Sequence, residues 1–376
     1  MRVLHFYKAY APDSFGGTET VIGDLARCTA PYGIETEVLS LSRFPKRNAL
    51  EIEGHWAHKA HLDFEFASTG FSFSAFSTFA RMAKDFDLIH YHFPWPLMDV
   101  AHFLARVQTP TLVTYHSDIV RQKHLLTLYR PLMHRFLDAV TAIVATSPNY
   151  ARSSATLQRY RDKVTVIPIG ARDVAKGPFP PEAAAAWRRR LGERFFVFVG
   201  ALRYYKGLLF LLDAAERTGY PVVIAGKGEL AAELEQHVRR RRLSNVHLLG
   251  EVSEADKAML LHLGYAFTFP SHLRSEAFGV ALLEAAEFSR PMISCDLGTG
   301  TSYVNIDGET GLVVPPADSA ALAAAMQRLW DDPDLAARMG GRARQRYEEL
   351  FTAEVMGAAY AALYRRLVEA AAAARS

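Results

Sequence analysis

The chain has 376 residues, enough for two domains of ordinary size. Half of the residues are hydrophobic and 22% are charged, which is typical of a globular protein with full hydrophobic cores. The net charge of +3 comes from 43 Lys and Arg against 40 Asp and Glu, a balance that argues against a nucleic-acid partner. Cys28 and Cys295 lie in opposite halves of the sequence and indicate no disulfide framework, which fits a reducing cytoplasm.

No segment approaches the ~20 consecutive apolar residues that a membrane-spanning helix needs. The first residues carry one Arg and only a short apolar run before Lys8, so we interpret them as a strand and not as a signal peptide. The expected location is therefore cytoplasmic.

A strand, a glycine-containing loop and a helix are predicted to open the chain. The strand covers residues 3–7, Gly16 and Gly17 lie in the loop, and the helix covers residues 19–30. This order is the first unit of a Rossmann-like domain. A pair of glycines by itself indicates only a turn.

Two patterns between residues 85 and 92 are similar to metal sites. Asp85 and Asp87 form a D-x-D pattern, but they begin the predicted strand, whereas ligands gather at the carboxyl ends of parallel strands. His90 and His92 share one face of that strand, yet no third ligand follows at a zinc-site spacing. We therefore predict no metal site.

The next predicted strand ends in a polar cluster that contains His116 and Asp118. From the residues alone, a structural His116 capped by Asp118 and a His116 that contacts a ligand are about equally consistent. Residues 119–137 then alternate cationic and apolar side chains, the pattern of a basic amphipathic helix with a break near Pro131. Both an ordinary packed helix and a membrane-contacting surface fit that pattern.

The strand and helix alternation starts again after a Pro-rich stretch at residues 177–181, the best linker candidate. We predict a first domain over residues 1–176, with 352–376 packing back on it, and a second domain over 182–351. In the second domain, one predicted strand precedes a loop with Arg203 and Lys206. The next precedes a loop with Gly226 and Gly228.

The stretch FPSHLRSEAFGVALLEAA, which begins at Phe269, predicts the end of a strand, a polar loop with Glu276, and a helix. Glu284 falls on that helix among apolar neighbours, where a carboxylate needs a hydrogen-bond partner. A helix entrance offers free amides and the positive end of the helix dipole to an anion. The entrance amides here belong to Ala277, Phe278, Gly279 and Val280. From these residues alone, a second interpretation is equally good: Glu276 is an ordinary loop charge and Glu284 faces solvent, and neither binds a ligand.

The complete string resembles the E-x7-E signature of the retaining glycosyltransferases of family 4, because Glu284 follows Glu276 by eight residues. The resemblance implies an α/β protein of the GT-B fold. In that fold two Rossmann-like domains face a central cleft, and the C-terminal helix crosses back to the first domain. The N-terminal domain would bind the acceptor and the C-terminal domain the nucleotide sugar.

The resemblance also implies roles for individual residues of the second domain. Glu276 would hold hydroxyls of the donor sugar, Glu284 the ribose, and the entrance amides the diphosphate or sugar. Lys206 is in register with the Lys-Gly of the family and would stabilise the departing phosphate. The usual Arg position holds Ala201, so we expect Arg203 to supply the second cation.

Three further elements are similar to donor-binding parts of the family. Gly16 and Gly17 match a loop that closes on the donor diphosphate. His116 stands where the family carries a His that contacts the donor sugar. Gly226 and Gly228 resemble a G-x-G loop beside the nucleotide.

The activity implied is transfer of a hexose from a nucleotide-diphosphate sugar with retained configuration, without a metal or a cofactor. The strings FPWP, TYHSD and LRYYKG look most like bacterial transferases that add mannose or rhamnose to surface polysaccharides. They favour a GDP-linked donor. In the family, a basic amphipathic patch on the N-terminal domain docks the enzyme to anionic lipid near its lipid-linked acceptor, so the resemblance also implies a lipid-linked saccharide acceptor and a peripheral contact of residues 119–137 with the inner membrane face.

Three alternatives stay open. A phosphorylase of related fold would carry a lysine-bound pyridoxal cofactor, visible in an absorbance scan. A nucleotide-sugar epimerase would convert the donor without an acceptor. A noncatalytic nucleotide-sugar-binding protein would bind the donor without transfer, although the intact pair of glutamates argues against it.

Overall fold

The computed structural model describes residues 1–46, 48–66, 69–119 and 123–374. The chain divides into two compact units, Met1–Gly170 with Ala353–Ser376, and Ala171–Thr352. The first unit therefore ends at Gly170, before the boundary placed at residue 176. The Pro-rich stretch at 177–181 lies inside the second unit and leads directly into its first helix.

The described residues of the first unit form an eight-stranded sheet with the order β10-β9-β8-β7-β1-β2-β4-β3. All neighbours are parallel except β3 and β4. A short antiparallel hairpin, β5 with β6, stands outside this sheet. The strands are β1 (Arg2–Phe6), β2 (Glu35–Ser42), β3 (Leu50–Ile52), β4 (His55–His61), β5 (Phe64–Phe66), β6 (Thr69–Phe71), β7 (Leu88–Phe93), β8 (Thr111–Tyr115), β9 (Ala142–Ala145) and β10 (Val164–Val166).

Helices connect these strands. They are α1 (Gly17–Thr29), α2 (Phe73–Met82), α3 (Pro96–Leu104), α4 (Lys123–Ala139), α5 (Pro148–Ser153) and α6 (Ala155–Arg159). The predicted break near Pro131 is wrong, because α4 continues through this proline. An interior proline costs about 3 kcal/mol, and burial of Met133, Phe136 and Leu137 offsets that cost. Residues 120–122 of the predicted amphipathic segment lie outside the described residues.

The second unit contains a six-stranded parallel sheet in its described residues, with the order β13-β12-β11-β14-β15-β16. Its strands are β11 (Phe196–Val199), β12 (Val222–Ala225), β13 (Val246–Gly250), β14 (Ala266–Phe269), β15 (Met292–Cys295) and β16 (Gly311–Val314). Four of them are buried at every position, as continuous apolar runs in a helix-covered parallel sheet should be. Gly311–Val314 supplies the parallel edge strand β16, which pairs with β15.

The helices of the second unit are α7 (Pro181–Leu191), α8 (Leu208–Thr218), α9 (Ala231–Arg241), α10 (Glu254–Leu263), α11 (Val280–Glu287), α12 (Thr301–Val304), α13 (Ser319–Asp331) and α14 (Pro333–Leu350). The last helix, α15 (Ala353–Ala373), belongs to the first unit and packs on α1. At their contact, a Cβ on Gly357 would lie 2.5 Å from Cβ of Cys28, so only glycine permits this packing. The return of the last helix to the first domain is thereby confirmed.

Each sheet has a point where the chain stops adding strands on one side and continues on the other. In the first unit this switch lies between β1 and β7, and in the second unit between β11 and β14. Ligands of doubly wound sheets bind beyond the carboxyl ends of the strands at such points. Among the described residues, no helix is both long enough and apolar enough to cross a bilayer.

Candidate active site

The loops that follow β11 and β14 are held together by a glycine. Gly207 has φ 67°, and a Cβ there would lie 2.0 Å from the carbonyl oxygen of Pro270. The amide of His272 also donates to the carbonyl of Tyr205 at 2.9 Å. Because glycine alone fits both the dihedral angle and the space, this position fixes Lys206 against the loop that carries Glu276.

Lys206 and Glu276 form a buried ion pair at this switch point. The Lys206 ammonium lies 2.6 Å from Oε2 of Glu276, and each residue is only 8% exposed. The Ser271 hydroxyl donates to the same oxygen at 3.1 Å, and the ammonium stands 4.6 Å from the centre of the Phe269 ring. The interpretation of Glu276 as a solvated loop charge is therefore wrong.

The entrance of α11 offers unpaired amides beside this ion pair. Gly279 is the N-cap, with φ 88°, and no side chain caps the helix. Within the described residues, the amides of Ala277, Phe278, Gly279 and Val280 take part in no hydrogen bond. The carbonyl of Ala277 accepts from Gly300 at 2.8 Å, which holds the entrance against the loop after β15. The arrangement suits an anion in need of donors.

Glu284 has a partner that the sequence did not indicate. Its Oε1 lies 3.0 Å from Nζ of Lys257 on α10, and Lys257 also contacts Glu254 at 2.6 Å. Burial by itself would lower the pKa of Lys257, but the two carboxylates together raise it above its ordinary value. The Glu284 side chain is 27% exposed, so it is neither fully solvated nor enclosed.

The predicted second cation and the G-x-G loop lie around the same strand ends. The Arg203 side chain is exposed, as is Ala201, and within the described residues Arg203 forms no ion pair. A Cβ on Gly226 would lie 1.9 Å from the Gly200 carbonyl oxygen, and one on Gly228 would lie 2.4 Å from that of Leu202. These two glycines therefore let the loop after β12 pack on the loop after β11. Their contact with a nucleotide stays a prediction.

In the first unit, Gly16 and Gly17 follow β1 at the switch point. Gly16 is the N-cap of α1 and Gly17 is its first residue, so the helix begins before the predicted residue 19. A Cβ on Gly16 would lie 2.6 Å from a carboxylate oxygen of Glu19, whose other oxygen accepts from Ser14 at 2.6 Å. The small size of Gly16 thus makes room for this carboxylate.

His116 follows β8, where the sequence predicted it. Its Nε2 lies 2.9 Å from Nδ1 of His92, whereas the Asp118 carboxylate accepts from Tyr115 and Ser154, each at 2.8 Å. Asp118 therefore does not cap His116, whose hydrogen-bond partner is His92. Burial lowers the pKa of His116 to about 4, so the ring is neutral near pH 7.

Of the two patterns that are similar to metal sites, the aspartate pair lies as predicted, whereas the histidine pair has a third neighbour that the sequence did not indicate. Asp85 and Asp87 precede β7 as predicted, and the Asp87 carboxylate accepts from the Arg2 amide at 2.7 Å. His90 and His92, however, are joined by a third histidine, His5 of β1, and one nitrogen of each lies within 4.8 Å of the others. Sequence spacing missed His5 because it reaches the cluster through the register of two parallel strands, in which it stands beside His90.

Two doubly wound units, each with candidate residues at its switch point, have the architecture of the GT-B fold. Residues 15–172 match the family model described as Glycosyltransferase Family 4, and residues 181–346 match Glycosyl transferases group 1. The chain belongs to glycosyltransferase family 4.

Its relatives cover nearly the whole chain. It is 53% identical to D-rhamnosyltransferase WbpZ of Pseudomonas aeruginosa, over 94% of this chain and 93% of that protein. It is 49% identical to O-antigen chain mannosyltransferase C of Escherichia coli, over 98% and 99% of the two chains. Among solved structures, sucrose-phosphate synthase from Thermosynechococcus elongatus superposes with a TM-score of 0.79 at 22% identity, covering 98% and 99%. That likeness supports the fold alone.

If Glu284 holds the ribose, as the family resemblance implies, its replacement by Ala should weaken binding of a nucleoside diphosphate by about tenfold to a hundredfold, because a charged hydrogen-bond partner is lost. Calorimetry with the free nucleoside diphosphate measures this. Glu254→Ala is the matched control, since Glu254 contacts the same Lys257 from an exposed position. A Kd of Glu284→Ala within twofold of the wild type would contradict the ribose-binding role.

Proposed function

We propose that the chain is a retaining, metal-independent hexosyltransferase of O-antigen synthesis. It transfers mannose or rhamnose from a GDP-linked donor to a lipid-linked saccharide acceptor. The names of the two near-full-length relatives support the sugar and the polysaccharide. The observation that carries a transfer site is the buried pair of Lys206 and Glu276 beside the open amides of α11.

The proposed reaction needs one protein group that accepts hydrogen bonds from the sugar hydroxyls and others that donate hydrogen bonds to the diphosphate. The bond between the sugar C1 and the diphosphate oxygen breaks while the acceptor oxygen bonds to C1 on the same face. The proton of the acceptor hydroxyl passes to the departing diphosphate. In the second unit, Glu276 would accept from sugar hydroxyls, while Lys206 and the amides would stabilise the growing negative charge.

The remaining assignments follow from the family. Glu284 would hold the ribose, and Arg203 would add a second cation near the phosphates. In the first unit, His116 would donate to the sugar, and Gly16 and Gly17 would border the diphosphate. Gly226 and Gly228 would line the nucleotide. No cofactor enters this scheme.

A membrane contact through residues 119–137 is also proposed. The supporting observation is that Leu128 of α4 is 81% exposed on a helix that carries Arg130. Of the other basic residues of α4, Arg135 is exposed and lies over the Phe103 ring, whereas His134 hydrogen-bonds to Tyr160 and burial lowers its pKa. Fewer cationic side chains of α4 are therefore available for a membrane contact than the sequence pattern suggested.

The test uses labelled donors and a bacterial membrane fraction that contains lipid-linked saccharide primers. GDP-mannose or GDP-rhamnose should place label in the solvent-extractable lipid, while UDP- and dTDP-sugars should not. NMR of the product should show the anomeric configuration of the donor. Label that stays in water, preference for another base, or an inverted product would overturn the proposal. Donor conversion without acceptor would favour the epimerase.

Transfer is expected to continue unchanged in excess EDTA, because the proposal assigns the diphosphate to a lysine and helix amides and not to a metal held by a carboxylate pair. Initial rates with and without the chelator measure this. Enzyme dialysed and then supplied with Mn²⁺ or Mg²⁺ is the control. Activity that is lost and then restored by a cation would return the aspartates before β7, or the buried histidines, to consideration.

A further inference from the structure

Three histidines of the first unit form a hydrogen-bonded chain. Nδ1 of His5 lies 2.9 Å from Nε2 of His92, and Nδ1 of His92 lies 2.9 Å from Nε2 of His116. His5 and His92 are fully buried, and His116 is half-buried at the carboxyl end of β8. The chain therefore leads from the interior of the sheet to the residue proposed to contact the donor sugar.

The neighbouring His90 belongs to a different set of hydrogen bonds. Its Nδ1 lies 2.7 Å from the hydroxyl of Tyr364, and its Nε2 lies 2.7 Å from that of Thr114, which in turn bonds to Tyr360. A metal ion on His5, His90 and His92 would have to displace bonds that are already made. The geometry thus favours hydrogen bonding over metal binding in this cluster.

The imidazole rings of the three hydrogen-bonded histidines, His5, His92 and His116, are neutral near pH 7. Burial lowers the pKa of His5 to about 3 and that of His116 to about 4, and it lowers the pKa of His92 well below its ordinary value. A neutral imidazole has one N–H and one acceptor nitrogen. Two successive nitrogen-to-nitrogen bonds therefore admit only two arrangements, with all donors pointing outward to His116 or all pointing inward to His5.

The inner end of the chain decides between the two arrangements. Nε2 of His5 is buried and has no hydrogen-bond partner. The inward arrangement would place an N–H there, and an orphaned buried N–H is the rarer defect. In the outward arrangement His92 donates to Nε2 of His116, so His116 carries its proton on Nδ1. Within the described residues, that Nδ1 makes no hydrogen bond.

We infer that His5 and His92 are positioning residues that hold His116 as the Nδ1–H tautomer, ready to donate to an oxygen of the donor sugar. The catalytic use of this tautomer rests on the proposed function of His116, whereas the tautomer itself does not. An unconstrained neutral histidine prefers its proton on Nε2. The hydrogen bonds from His5 through His92 therefore impose the less common Nδ1–H tautomer on His116.

Nitrogen-15 NMR of the selectively labelled, ligand-free protein tests the tautomer directly. In the wild type, His116 should show a protonated Nδ1. In His5→Phe, which keeps a ring but cannot donate to His92, His116 should gain the Nε2–H form. His5→Gln can donate through its amide and should restore the Nδ1–H form. His90→Phe is the matched control: His90 stacks on His92 but makes no hydrogen bond to His5, His92 or His116, so a ring at this position should leave the tautomer of His116 unchanged.

Transfer rates complete the test. His5→Phe should lower kcat/KM by about tenfold through the loss of one aligned donor, and His5→Gln should recover most of that loss. An Nε2–H form in the wild type, or the same tautomer in His5→Phe, would overturn the inference. So would zinc titration that moves the His5, His90 and His92 signals together to metal-bound positions. The expected tautomers with normal transfer in His116→Ala would instead reject the proposed role of His116 in the reaction.

Discussion

Replacing Glu276 by Gln is expected to lower kcat/KM for sugar transfer by about 10³-fold. The carboxylate lies 2.6 Å from the Lys206 ammonium and accepts from Ser271, so it is held in one position, and the proposed function has it accept from hydroxyls of the donor sugar. Gln keeps the shape and one oxygen acceptor but loses the charge that strengthens those bonds. Initial rates with saturating acceptor and varied donor measure the effect.

Gln is a better choice than Ala because Glu276 is buried. Both substitutions leave the Lys206 ammonium without its carboxylate, which costs about 3–5 kcal/mol, but Gln keeps the side-chain volume and an oxygen that can still accept from Lys206. Thermal unfolding of the variant should accompany the rate measurement. Ser271→Ala is the matched control, since it removes only the second hydrogen bond to the same oxygen. Transfer within threefold of the wild type in a folded Glu276→Gln enzyme would reject the assignment.

Local patterns were enough to place the α11 entrance. An apolar strand, a polar loop and a run of helix formers fix Gly279 and Val280 within a short stretch of chain, and the structure confirms the helix over Val280–Glu287. The same stretch could not reveal that Glu276 is buried. Glu276 is buried against the loop that carries Lys206. That residue is 70 positions away in the sequence but close in space, because β11 and β14 are neighbours in the sheet.

Partners that depend on tertiary packing were missed for the same reason. Lys257 meets Glu284 because α10 and α11 lie near each other, and His5 meets His90 because β1 and β7 are in register. Neither residue stands in a recognisable motif. The helix through Pro131 shows the opposite case, in which a strong local signal yields to burial of the surrounding apolar side chains.

Replacing Lys206 by Met is expected to lower kcat by about 10²–10³-fold. The departing diphosphate becomes more negative as the bond to the sugar breaks, and a fixed ammonium stabilises that charge without reorganisation. Gly207 and the ring of Phe269 hold the ammonium in place, so the charge is preorganised. Single-turnover rates with bound donor separate this effect from donor affinity.

Loss of stability must be separated from loss of catalysis, because Met at residue 206 leaves Glu276 buried without its partner. The double variant Lys206→Met/Glu276→Gln has no uncompensated charge, so its thermal stability should exceed that of the single variant. Its transfer should stay as low. A double variant that regains activity would show that the single variant fails because its buried carboxylate is unpaired, and it would reject the proposed roles of both Lys206 and Glu276.

The Arg203→Ala variant tests whether Lys206 is the only cationic side chain that stabilises the departing diphosphate. The exposed side chain of Arg203 forms no ion pair within the described residues, so it is free to turn towards a diphosphate. If it supplies the cation that Ala201 lacks, Arg203→Ala should lower kcat by an order similar to Lys206→Met, and adding Ala201→Arg should rescue it. A single ammonium would leave the second charge of the diphosphate poorly compensated, which favours this outcome. Wild-type kcat and KM in Arg203→Ala would instead assign that charge to the α11 amides.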